Sequence, residues 1–199
     1  MRELEDAVAA IRAGGLAIVP TDTVYGLAAS PFTAEPIRLL YRTKGRAEPQ
    51  PTALVAASLA AVREAVPELV ESDARVAAAL LPGPYTLVVA NPARRFPWLN
   101  GSSLETIGLR VPAVAGVAKE LLDRVGLLAA TSANLPGGPD PRRLEDVPDA
   151  LRAAAVTLDG GELPGTASTV VDLTGSEPRV LREGAVQAAE ALRTIASVL

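Results

Sequence analysis

The sequence predicts an α/β domain, a mixed β-sheet with helices packed against it. Strand-like apolar runs alternate with helical patterns through the first two-thirds of the 199 residues. Strand patterns then dominate from about residue 155 to 182. The length suits one domain, or one domain with a small lobe. Hydrophobic residues make up 49% and aromatics only 3%, so Ala, Val, Leu and Ile must build the core.

The elements follow in order. Leu4, Val8 and Ile11 share one face of a helix over 4–13, which Gly14-Gly15 stops. Residues 16–19 read as a buried strand ended by Pro20, and the polar run 21–27 follows as a turn. A helix over 35–43 turns Ile37, Leu40 and Tyr41 inward, and 43–51 is a polar loop. A strand at 53–56 precedes helices at about 59–66 and 73–80, with Ser58 and Ser72 as N-caps. The turn 81–84 leads to a strand at 85–90, and the Pro-, Arg- and Gly-rich loop 91–103 leads to a strand at 106–111. Pro112 opens a helix to Val125, capped by Gly126. A buried strand at 127–130 enters a Gly/Pro loop over 131–141. A weak helix near 145–154, strands at 155–158, 166–173 and 179–182, and a helix over 186–198 complete the chain.

Composition narrows the chemistry. With no cysteine and no histidine, disulfides, thiolate nucleophiles, Cys/His zinc sites and histidine acid–base catalysis are excluded. What remains suits phosphate chemistry, where positioning and electrostatics carry most of the catalysis. The net charge of −4 argues against RNA as the main ligand, since nucleic-acid binders are usually basic. No apolar run reaches the roughly 18 residues of a membrane-spanning helix. The acidic start, Met1-Arg2-Glu3, lacks the basic and apolar regions of a signal peptide. The chain therefore reads as a cytoplasmic protein.

Neither G-x-x-x-x-G-K-[ST] nor G-x-G-x-x-G is present, so polar clusters at strand ends become the candidates. Residues 20–27 form either a capped turn, which pattern alone favours, or a hydroxyl-lined pocket with Tyr25 as one wall. Lys44-Gly45-Arg46 is either a pair of solvated cations or a phosphate clamp of point charge and guanidinium fork. Thr131-Ser132-Ala133-Asn134 either caps a turn or faces a nucleotide phosphate. Alternation puts Thr106, Gly108 and Arg110 on one strand face, where Arg110 needs an anion, from a carboxylate partner or, the reading preferred here, from a ligand. Ser168, Val170 and Asp172 share a face of a strand that reads as half of an ordinary hairpin.

Taken in order, PTDTVYGL at 20–27, KGR at 44–46, PGPYTLVV at 82–89, TIGLRVP at 106–112, TSAN at 131–134, ASTVVDL at 167–173 and LREG at 181–184 resemble the YrdC-like family, the threonylcarbamoyl-AMP synthases. The resemblance runs from about residue 14 to 186. It implies a twisted mixed sheet with flanking helices and a concave ligand cavity, as a single catalytic domain over 1–199. It also implies a nucleotidyltransferase reaction of L-threonine, bicarbonate and Mg²⁺-ATP. The product, threonylcarbamoyl-AMP, would pass to a transferase complex that modifies tRNA to threonylcarbamoyladenosine, with at most weak RNA binding by this chain.

By the same resemblance, Lys44 and Arg46 would be catalytic, neutralising the triphosphate. Thr23, Tyr25, Arg110 and Ser168 would bind threonine. Gln50, Thr106, Ser132, Asn134, Asp140 and Arg182 would join Lys44 and Arg46 around ATP. No protein metal ligand is assigned, although Asp159 and Asp172 are candidates for magnesium beside phosphate and water. The chain departs from the family pattern at Asp22, Ala47, Val55 and Pro136, and it resembles the short, stand-alone form. The departures at 47, 55 and 136 keep open a YciO-like paralogue with another reaction. An RNA-binding module and a carbamoyl-transfer domain of the hydrogenase-maturation type are the remaining alternatives.

Overall fold

The computed structural model describes residues 2–45 and 50–199. One nine-stranded sheet runs through the molecule in the order β7-β1-β2-β6-β3-β5-β4-β8-β9. Its strands are β1 (Leu16–Val19), β2 (Gly26–Ala29), β3 (Ala53–Ala56), β4 (Tyr85–Ala90), β5 (Thr106–Arg110), β6 (Leu127–Ser132), β7 (Val156–Thr157), β8 (Thr169–Asp172) and β9 (Arg179–Arg182). The pairs β1/β7, β3/β5 and β4/β8 are parallel and the others antiparallel, so the sheet is mixed. Helices α1 (Arg2–Arg12), α2 (Ala34–Thr43), α3 (Leu59–Ala65), α4 (Glu71–Leu80), α5 (Gly116–Val125), α6 (Asp149–Ala154) and α7 (Ala188–Ala196) flank it.

Strand alternation sorts side chains onto two faces. On one face Ile18, Leu27, Leu54, Leu87, Ile107, Leu109 and Val171 pack with residues of α2, α3, α4 and α7 into the main core. On the other, Ala17, Val19, Ala28, Val55 and Leu128 pack beneath Leu4, Val8 and Ile11 of α1 and Leu121 and Leu122 of α5. Those two helices cover β1 and one end of β2, β3 and β6 on that face. The other ends of β2, β3 and β6 and the neighbouring β5, β4 and β8 stay open on the same face, and the cavity described below lies there.

Several boundaries differ from the sequence expectation. The run after Pro20 was expected to be a turn throughout, but Gly26–Ala29 forms strand β2 between β1 and β6. Its short Gly-Leu-Ala-Ala sequence lacks the β-branched signal, and only pairing on both sides makes it a strand. Ser58 caps α3 by accepting the Ala61 N–H, whereas α4 begins two residues ahead of the expected start, with Val70 at the cap in place of Ser72. Pro112 does not open α5. Residues 112–115 stay outside the helix, which starts at Gly116. Gly126 does close it, at φ +76°, a conformation that favours glycine. Strand β6 runs on through Thr131 and Ser132 because Gly26 and Leu27 pair with them. No helix of the described residues is long and apolar enough to cross a membrane.

Candidate functional site

The open part of the sheet carries a cavity of about 580 Å³, within the range of about 300–1,000 Å³ typical of small-ligand sites. Its floor is built of small residues, Gly26, Ala53, Gly108 and Ala130, one from each of β2, β3, β5 and β6. A Cβ on Gly108 would come within 3.5 Å of the Thr86 methyl and 3.7 Å of the Ala53 Cα, so glycine keeps this part of the floor low. Thr86, Ser168, Val170 and Arg182 line the β4–β8–β9 side, with exposed Leu181 at the mouth. Among the described residues that line it, the charged side chains are Arg110 and Arg182. A chain of net charge −4 therefore presents a positive cavity, which favours anions.

Expectation and structure agree that Thr106, Gly108 and Arg110 share one face of β5, and that face turns to the cavity. Thr106 and Gly108 line the cavity beside Arg110, while Ile107 and Leu109 are buried in the core behind them. Ser168 sits at the start of β8. It shares a hydrogen bond of 2.9 Å with Thr86, and its carbonyl accepts from Arg182 Nη2 at 2.8 Å. Gln50 and Ser132 also line the wall. Arg46 lies outside the described residues, as does Ala47.

Lys44 lies behind the wall. It follows the last turn of α2 and is only 2% exposed. Its ammonium donates to Thr131 Oγ1 (3.3 Å), Ser132 Oγ (3.4 Å), Asn134 Oδ1 (3.0 Å) and the Ser132 carbonyl. The two motifs read separately in the sequence, KGR and TSAN, are thus one cluster. Asn134 in turn donates to the Gly138 carbonyl at 2.8 Å and approaches Asp140 at 3.4 Å. Lys44, Asn134 and Asp140 are set back from the cavity lining, to which Thr131 and Ser132 contribute directly.

Two residues expected on the threonine wall are not there. Tyr25 is fully buried. Its hydroxyl donates to Asp159 Oδ1 (2.9 Å), with the Gly161 carbonyl also in reach (2.8 Å), and accepts the Gly160 N–H (3.0 Å). Burial, reinforced by Asp159, pushes the phenol up to about 12. The bond from the Gly161 N–H, then the one from Tyr25, holds the Asp159 carboxyl below its ordinary range. Thr23 is also fully buried, and Thr21 and Val24 take the wall instead. The cause is a hydroxyl turn: Thr21 Oγ1 accepts the Thr23 and Val24 N–H groups, each at 3.2 Å, which turns Thr23 inward.

Arg110 also differs from its expected setting. The anion it requires comes from the protein: Nη2 donates to Asp22 Oδ1 at 2.5 Å and to Thr23 Oγ1 at 2.6 Å. Thr86 was missed as a wall residue. Buried Tyr85, Leu87 and Val89 on alternate positions of β4 put Thr86 and Val88 on the cavity face, a signal present in the PGPYTLVV run. Of the two candidate magnesium ligands, Asp159 is tied to Tyr25 and Gly161, and Asp172 to Thr174 and Arg179. Neither lines the cavity, and among the described residues no cluster of three or more acidic side chains is placed to hold a metal ion.

A family model described as "Telomere recombination", Sua5/YciO/YrdC, matches residues 9–184. The chain belongs to the Sua5/YciO/YrdC family. A relative from Mycobacterium tuberculosis, provisionally named a threonylcarbamoyl-AMP synthase, is 39% identical over 187 residues, covering 93% of this chain and 85% of its own. Among solved structures of the family, Pyrococcus abyssi Sua5 complexed with L-threonine superposes with a TM-score of 0.88 at 31% identity, over 98% of this chain. This chain spans 58% of that longer one. Escherichia coli YciO gives a TM-score of 0.83 at 26% identity, covering 96% of this chain and 93% of its own.

Proposed function

We propose that this chain makes threonylcarbamoyl-AMP and pyrophosphate from L-threonine, bicarbonate and ATP. The observation that carries the reading is the cavity on the open part of the sheet, whose charged lining among the described residues is Arg110 and Arg182, donors suited to the phosphates of ATP, to bicarbonate and to the carboxylate of threonine. The resemblance in seven ordered motifs and the kinship with named synthases support it. The amine of threonine condenses with bicarbonate, losing water to give a carbamate. A carbamate oxygen then attacks the α-phosphorus of ATP, and the bond to the bridging oxygen breaks to release pyrophosphate. The nucleophile belongs to the substrate, so a chain without cysteine or histidine can run the reaction.

In this reading the protein positions and neutralises. Arg110 takes the threonine carboxylate, with Ser168 on the same amino acid. Thr106, Ser132 and Arg182 hold the nucleotide from the wall. Gln50 joins them on the wall, and Asn134 and Asp140 act on the nucleotide site from behind it. Lys44 and Arg46 stabilise charge building on the pyrophosphate, with Lys44 drawn from its Thr131–Ser132–Asn134 cradle toward the phosphates. Magnesium arrives with ATP and offsets the charge of its phosphates. The product leaves for a separate transferase that modifies tRNA, in the cytoplasm, and residues 1–199 act as one catalytic domain.

The test is pyrophosphate release from Mg²⁺-ATP with and without threonine and bicarbonate, for wild type and Lys44→Ala. The expected result is release that needs both co-substrates and falls by about 10²–10³ in the variant, the usual loss on removing a charge-stabilising donor. Turnover indifferent to threonine would overturn the proposal and point to another reaction on the same fold.

A further inference from the structure

Arg110 is held from behind by a carboxylate that does not face the cavity. Asp22 is absent from the cavity lining, and its side chain is 8% exposed against 11% for Arg110. One oxygen, Oδ1, accepts from Arg110 Nη2 at 2.5 Å, and the other, Oδ2, accepts the Ala113 N–H at 2.9 Å. The carboxylate therefore braces the loop after β1 against the chain leaving β5. Apart from Asp22, Nη2 reaches only hydroxyls among the described residues, Thr23 at 2.6 Å and Thr21 at 3.4 Å. Nε is buried and has no partner among the described residues, so it does nothing to fix the plane of the guanidinium.

From this we infer that Asp22 is a positioning residue for substrate recognition. It aims the Arg110 fork and sets how well the cavity takes an α-amino acid carboxylate. The inference rests on the assignment of Arg110 to threonine. Two physical effects compete. Asp22 offsets the charge of Arg110, which lowers its bare attraction for an anion. It also fixes a long side chain whose rotamer freedom otherwise opposes a two-pronged contact. The second effect prevails here, because without Asp22 the guanidinium is left with two neutral hydroxyls and an orphaned Nε.

The experiment compares Asp22→Ala, Asp22→Asn and Asp22→Glu with wild type in threonine-dependent pyrophosphate release, varying threonine at saturating ATP and the reverse, with melting temperature recorded for each. For Asp22→Ala, the threonine KM should rise about 10- to 100-fold, the usual effect of losing a partner that orients a ligand-contacting group, while the ATP KM holds within about twofold. Glu keeps the charge and both acceptor oxygens and should restore most of the loss, whereas Asn should not. Should the alanine variant fail to fold, Asn, which keeps the shape and loses the charge, carries the same comparison. An unchanged or lowered threonine KM in a folded variant overturns the inference, as do threonine and ATP constants that rise together. Failure of wild type to need threonine sinks the parent reading instead, so the two failures are distinguishable.

Discussion

Replacing Tyr25 with Phe separates a structural role for this residue from a substrate-binding one. The ring is fully buried in the main core, and the substitution keeps its shape, so no cavity opens. What disappears is the hydroxyl that ties the loop after β1 to Asp159, Gly160 and Gly161. Asp159 is exposed enough to regain water, so the loss is limited to the net value of one or two hydrogen bonds, about 1–2 kcal/mol. For a chain of this size that shifts the melting temperature by about 2–8 °C. The alkaline limb should change as well. The folded phenol is raised from its ordinary 10.0 to about 12, first by burial and then by Asp159, so the folded state holds its proton more tightly than the unfolded chain does. That contribution is complete below pH 10, is lost as pH rises from there to about 12, and is missing from the Phe variant. Thermal melts across pH 8–12, alongside threonine kinetics at pH 8, check both. A melting temperature equal to wild type combined with a threonine KM raised about tenfold or more would place the hydroxyl on the substrate and refute the reasoning.

Two further predictions follow from the cavity floor and from β8. Gly108→Ala should fold and turn over nearly as wild type, since its Cβ meets only ordinary contacts at 3.5–3.9 Å, whereas Gly108→Val pushes methyls into the ligand space and should raise a substrate KM at least about tenfold with little change in melting temperature. Steady-state kinetics beside a thermal melt decide it, and a fully active valine variant would move the ligand elsewhere. Burial works against ionisation of Asp172, but the Thr174 hydroxyl and N–H and the Arg179 guanidinium outweigh it and hold the carboxyl below its ordinary 3.8. Its stabilising contribution is thus present above that value and lost as pH falls, so Asp172→Asn should lose stability at neutral pH and show a shallower acid limb in urea melts, which an unchanged pH profile would disprove.

Alternation made the faces of β5 and β8 legible, and the same signal in β4, which puts Thr86 on the cavity face, went unread. Thr106, Gly108 and Arg110 could be assigned to one side because Ile107 and Leu109 are unmistakably core, and the structure agrees. Strand β2 was not legible, since Gly-Leu-Ala-Ala carries no strand propensity of its own and is fixed by neighbours far away in sequence. The same remoteness hid the cradle of Lys44, whose acceptors lie 87 to 90 residues away along the chain. Nor does alternation say which part of a face stays open. That depends on α1 and α5 covering only one end of β2, β3 and β6, a fact of packing between elements.

Arg110 shows where sequence reasoning reaches its limit. A half-buried guanidinium on a strand needs an anion, and this much follows from desolvation alone. Sequence cannot say whether that anion is protein or ligand, because Asp22 lies 88 residues away and reads locally as a turn residue. The structure shows that the two answers need not compete. Asp22 occupies the guanidinium from the loop side while the residue still lines the cavity. One carboxylate can therefore satisfy the resting protein and leave the arginine aimed at another, which is why charge at position 22 should be read out in the threonine constant and not only in the melting temperature.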